Sequence, residues 1–133
     1  MLFRSLIVSW LKVFGWKVSS TGKIFAGLGC PNGCDFCCTS HFFKRQHIKL
    51  LPDGRDIYRV IERYRDVDPN LVFLIIDEDF LLNKKRALQF RDAVRQGGKP
   101  LSIFAFSSVK ALSQYTVEEI LEMGIDEIGR AHV

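Results

Sequence analysis

Outside the stretch from Cys30 to Cys38 the sequence has no cysteine, and all four of its thiols fall inside that stretch. A disulfide framework distributes cysteines so that they staple distant loops, so this distribution excludes one. Thiols crowded into one loop concentrate metal ligands, and they point to a reducing, cytoplasmic compartment. Charge of one sign is also scarce. Nineteen Lys and Arg against fifteen Asp and Glu leave a net charge of +4. That balance suits anionic small molecules and is too weak for a nucleic-acid binder. No apolar run is long enough to span a bilayer, because Leu2–Trp16 is short and is interrupted by Arg4 and Lys12. The same segment lacks a small-residue cleavage site, which argues against a signal peptide. There is no internal repeat and no low-complexity tract.

What is present is an ordinary globular composition, 47% hydrophobic and 26% charged, with eleven Phe. Phe3, Ile7, Trp10 and Phe14 recur at helical spacing, so residues 1–22 read as an amphipathic helical extension that packs on a protein surface. Lys23–Leu28 reads as a strand ending at Gly29. Asp53 caps a helix whose apolar face is Ile57, Val60, Ile61 and Tyr64. Asp68-Pro69-Asn70 makes a turn, and Leu71–Ile76 reads as a parallel strand buried on both faces. Asn83 caps the next helix, with Ala87, Phe90 and Val94 on one face and Gly97, Gly98 and Pro100 at its end. Leu101–Phe106 is a further strand, Thr116 and Glu119 form a capping box, and Ile125 opens a fourth strand. Strands alternating with helices predict an α/β fold with a parallel sheet and right-handed crossovers.

The final residues Ile128-Gly129-Arg130-Ala131-His132-Val133 match, codon for codon and followed by a stop, one reading frame of a common sequencing adapter, and Glu127 fits that frame. Residues 127–133 are accordingly read as an adapter-derived tail. Three βα units and one strand do not close a barrel, so the chain is read as a fragment that is inactive by itself.

The chemistry lies in Cys30-Pro31-Asn32-Gly33-Cys34-Asp35-Phe36-Cys37, a C-x3-C-x2-C spacing just beyond a strand. Three such thiolates can hold three irons of a cubane and leave the fourth iron without a protein ligand. An open metal position is where chemistry occurs. A second reading takes Cys30, Cys34, Cys37 and His41 as a Cys₃His structural zinc site. The module would then bind through the basic loop Lys44, Arg45, His47 and Lys49. Otherwise His41 and His47 are plain loop histidines, and Cys38 points away from the other three. Asp77, Glu78 and Asp79 stand at the carboxyl end of the second long strand, and Ser107 and Ser108 at that of the third. In (β/α) barrels that end faces the active site.

The cysteine spacing, with Phe36 directly before the third cysteine and βα units after the loop, resembles the radical S-adenosylmethionine (SAM) superfamily. The resemblance covers roughly residues 23–126 and implies the N-terminal part of a partial (β/α)₆ TIM-like barrel. It implies a 4Fe–4S cluster on Cys30, Cys34 and Cys37, and reductive cleavage of SAM to methionine and a 5′-deoxyadenosyl radical. Phe36, Asp77, Glu78, Asp79 and Ser107 become cofactor-binding positions, the acids facing the SAM ammonium group. A Gly-Gly-Glu segment often stands at the acid loop in that superfamily; here the loop resembles acidic-Asn-Phe variants, with Phe80 following the acids. Larger members with such a loop often carry a cobalamin-binding domain before the cluster loop, so the resemblance admits cobalamin in a longer protein. It also implies a small electron donor such as a flavodoxin or ferredoxin, and leaves the substrate and reaction class open.

Overall fold

A computed structural model describes residues 21–130. Residues 1–20 of the expected helical extension and the last three of the tail lie outside that range, whereas Thr21 and Gly22, read as the end of that extension, belong to the first strand. Four strands, β1 (Thr21–Phe25), β4 (Val72–Ile76), β5 (Ile103–Ser107) and β6 (Ile125–Arg130), form one sheet in that order, and every neighbouring pair is parallel. Between β1 and β4 runs an excursion containing β2 (Gly27–Leu28), helix α1 (Cys38–Phe42), strand β3 (Ile48–Lys49) and helix α2 (Gly54–Val67). A 3₁₀ turn (Phe80–Leu82) and helix α3 (Lys84–Gly97) join β4 to β5, and the short helices α4 (Val109–Leu112) and α5 (Val117–Glu122) join β5 to β6.

Local signals account for the long elements. The Asp53 side chain accepts the Arg55 amide at 2.8 Å and starts α2, whose Ile57 and Ile61 are fully buried. Asn83 accepts the Arg86 amide at 3.1 Å and starts α3, and Gly98 ends it in the left-handed region at φ 63°. Thr116 and Glu119 form the expected capping box. The 3₁₀ turn, α1 and α4 are shorter than the 3.6-residue period can reveal.

The strand expected over Lys23–Leu28 divides. The Ala26 amide donates to Ile76 O at 3.0 Å, and its carbonyl accepts from Leu50 and Leu51, both at 3.1 Å. Beyond Ala26 the chain leaves the sheet, and Gly27 and Leu28 pair antiparallel with Lys49 and Ile48. That pairing closes the neck of the cysteine-bearing excursion.

Burial on the sheet alternates. Ile24, Phe73, Ile75, Ile103, Ala105 and Ile125 face the helices and form the core with Phe80, Phe90 and Met123. Each fully buried Phe contributes about 1.5–3 kcal/mol by leaving water. The other face carries Val72, Leu74, Ile76 and Phe104, partly buried, with Phe25 at 55% exposure and Phe106 at 36%. The expectation that Leu71–Ile76 is buried on both faces is therefore corrected: among the described residues the helices cover one face only.

Glu127, Ile128, Gly129 and Arg130 pair with Phe104, Ala105, Phe106 and Ser107, after a register irregularity that skips Asp126. A parallel ladder uses backbone groups, so such pairing asks little of the side chains that the segment carries. Among the described residues no helix is long and apolar enough to cross a membrane.

Candidate functional site

The cysteine loop, the acid loop and the end of β5 meet at the carboxyl end of the sheet. Two glycines shape the first of these. Gly29 and Gly33 sit at φ 82° and 69°, where any other residue is strained, and they flank Cys30 on one side and Cys34 on the other. The Cys37 amide then donates to Cys34 O at 3.0 Å, folding Cys34–Cys37 into a tight turn. Ser40 organises the loop from within: its hydroxyl donates to Cys30 O at 3.0 Å and accepts the Gly33 amide at 3.2 Å.

All four cysteines are free thiols. Cys30 is buried, Cys34 and Cys37 are half-buried, and Cys38 is exposed at the start of α1. Burial pushes the Cys30 thiol up, and the nearby Asp79 carboxylate pushes the same way. Hydrogen bonds from the Asn32 backbone N–H and the Ser40 side chain oppose them. Among the described residues no three His, Cys, Asp or Glu side chains converge as ligands of a single metal ion. His41 and Phe36 are exposed, Phe36 at 73%.

The three acids have three different environments. Asp77 is buried against the fully buried guanidinium of Arg86, and His47 Nε2 lies 3.1 and 3.2 Å from its two oxygens. Burial alone would raise the Asp77 carboxyl, but the His47 hydrogen bond and the Arg86 charge outweigh it and hold the group below the usual carboxylate range. Asp79, also buried, accepts from Ser107 Oγ at 3.0 Å, Ser108 N at 3.1 Å, Ser108 Oγ at 2.7 Å and Asn32 Nδ2 at 2.9 Å. Both carboxylates are committed to protein partners. Glu78 is half-buried, and among the described residues its carboxylate has no hydrogen bond or ion pair. Of the three acids it alone keeps its acceptor capacity for a ligand.

A comparison with known proteins adds one relationship. The chain is similar to an uncharacterized methyltransferase of Pyrococcus horikoshii. Identity is 32% over 109 residues, covering 77% of this chain and 22% of that protein. The chain thus spans about a fifth of the length of this relative. No family model matches the sequence, and no solved structure does.

The structure gives several residues partners that the sequence does not show. His47, read as a plain loop histidine, is paired with Asp77 at the neck of the excursion. That removes it from the basic loop, where Lys44, Arg45 and Lys49 remain exposed. Arg86 runs beneath the site: one guanidinium nitrogen donates to Ala26 O at 3.3 Å and Leu51 O at 3.5 Å, and the head lies 5.5 Å from the Phe80 ring centroid. Its position was legible in principle, because Arg86 falls four residues before Phe90 on the buried face of α3. A cation on an apolar stripe signals a buried partner. Asn32 carried no such signal. Ser107 is buried with its hydroxyl on Asp79, and Ser108 doubles as the cap of α4, accepting the Ala111 amide at 3.2 Å.

Proposed function

We propose that this chain is the N-terminal part of a radical SAM enzyme domain, with Cys30, Cys34 and Cys37 as ligands of a 4Fe–4S cluster. The observation that carries the reading is the meeting of the C-x3-C-x2-C loop with the acid loop at the carboxyl end of a sequentially ordered parallel sheet. Strands in chain order with helices on one face match the wall of a (β/α) barrel; a doubly wound sheet reverses its order at a switch point and has helices on both faces. We therefore read the four strands as part of a partial (β/α)₆ barrel, whose interior would be the face bearing Phe25, Phe104 and Phe106.

The donor chemistry suits the group, in which each thiolate would bind a different iron rather than one shared ion. The loop offers three unpaired thiols within one short wrap, two positive-φ glycines that let the backbone curl, and hydrogen bonds directed at Cys30. A cluster bound there supplies the electron for reductive cleavage of SAM. The chain's own residues do the rest. Glu78 offers an acceptor for the SAM ammonium group, and the buried Asp77–Arg86 pair keeps the acid loop in place beneath it. The exposed cations Lys44, Arg45 and Lys49 lie beside the loop, where an acidic electron-donor protein would approach. The methyltransferase relative supports SAM as the cosubstrate, and methyl transfer is the reaction class that its name suggests for the whole protein.

Anaerobic reconstitution with iron and sulfide tests the reading. We expect about four irons per chain, with loss of iron in Cys30→Ala, Cys34→Ala and Cys37→Ala and retention in Cys38→Ala. Stoichiometric zinc uptake without iron, abolished by His41→Ala, would replace the cluster by the Cys₃His site.

A further inference from the structure

Asp79 is 3% exposed, and its four hydrogen bonds all come from neutral donors. Three of them belong to Ser107 and Ser108 at the end of β5. The fourth comes from the side chain of Asn32, midway between Cys30 and Cys34 and forty-seven residues away in sequence. The hydrogen bonds of Ser40 and of the turn amides between Cys34 and Gln46 stay inside the excursion. The Asn32 amide crosses out of it. A carboxylate accepts and cannot donate, so the bond has one polarity, and an amide donating to a charged, sheltered acceptor is among the stronger neutral-donor contacts.

We propose that Asn32 is a positioning residue: through Asp79 it fixes the cysteine loop against the carboxyl ends of β4 and β5. It thereby sets where a group held by Cys30, Cys34 and Cys37 stands relative to Glu78. The role rests on the proposed function above, but the tether itself does not need the metal. Outer contacts of this kind orient ligands that are otherwise carried on a flexible loop.

The test is a reciprocal exchange. Asn32→Asp sets two carboxylates against each other and breaks the tether. Asn32→Asp combined with Asp79→Asn restores an amide–carboxylate bond with its direction reversed. In that double variant the Oδ1 of the new amide still accepts from Ser107 and Ser108 N, and the Ser108 hydroxyl can rotate to accept.

In metal-free protein, labelling of the buried Cys30 by a small thiol reagent, located by peptide mass, reports opening of the loop. We expect at least tenfold faster Cys30 labelling in Asn32→Asp and a return to within about threefold of the parent in the exchange variant. In reconstituted protein, iron loss to a chelator should follow the same order, and the spin-resonance line shape of the reduced centre should change in Asn32→Asp and revert in the exchange. Asn32→Ala, which adds no charge, serves if Asn32→Asp does not fold; it should label faster than the parent as well. Parental labelling in Asn32→Asp, or an exchange variant that folds yet labels as fast as Asn32→Asp, overturns the tether. If the parent takes up no iron, the cluster reading fails while the labelling result still decides the tether.

Discussion

Arg86 on α3 donates a hydrogen bond to the Asp77 carboxylate at the end of β4, with both side chains sealed from solvent at 1% and 0% exposure. His47 reaches the same carboxylate from the neck of the cysteine excursion. One buried acid thus ties a core helix, a central strand and the base of the candidate site together. Among the described residues the Arg86 Nε has no partner, and the guanidinium is held through its terminal nitrogens.

Removing one member of that pair leaves an uncompensated buried charge. Arg86→Met should cost ~3–5 kcal/mol of unfolding free energy, measured by urea denaturation. Arg86→Met with Asp77→Leu should cost clearly less than the sum of the two single variants, because the double variant buries no orphan charge. Additive losses would mean that the two side chains are not energetically paired.

Acid should weaken the fold in a defined window. Asp77 is held low when folded, against a wet-state carboxylate near 3.9. The stabilisation from its charged form is therefore fully present above the unfolded value and lost as pH falls through the lower folded one. Asp53 acts in the same direction: the hydrogen bonds and charge of Arg55 bring its carboxyl down to about 2. Stability should fall between about pH 4 and pH 2, and Asp77→Asn should show a flatter slope there while being less stable at neutral pH. A slope unchanged in Asp77→Asn would assign the acid transition to other carboxyls.

The acids should separate by function. In a full-length protein that binds SAM, Glu78→Gln should weaken SAM binding about tenfold, as loss of one charge-assisted contact does, and leave thermal stability within the range of a surface change. Asp77→Asn and Asp79→Asn should instead lower the melting temperature, since each breaks buried contacts. SAM affinity equal to the parent's in Glu78→Gln, measured by calorimetry, would remove Glu78 from the site.

The cysteine thiols should differ in reactivity in metal-free protein. Cys38, exposed at the start of α1, should label fastest and Cys30, buried and pushed up by its surroundings, slowest, as read by mass spectrometry.

The long elements and the cysteine loop follow from the sequence alone. Asp53, Asn83 and the Thr116–Glu119 box each act within one helical turn, and Leu71–Ile76 declares itself by continuous apolarity. The C-x3-C-x2-C spacing is likewise a local pattern. Tertiary structure alone decided which acid stays free and which residues serve the loop. Asp77, Glu78 and Asp79 are neighbours with the same chemistry, and they differ only in what folding brings to them: Arg86 and His47 to the first, Asn32 with Ser107 and Ser108 to the third, and no partner among the described residues to the second. Those partners come from up to forty-seven residues away in sequence, and hydrogen bonds across such separations leave no periodicity in a chain. Burial followed the same division. Alternation marks the two faces of a strand, but the helices on one side decided which face was covered, and that depends on how whole elements pack rather than on any one strand's residues.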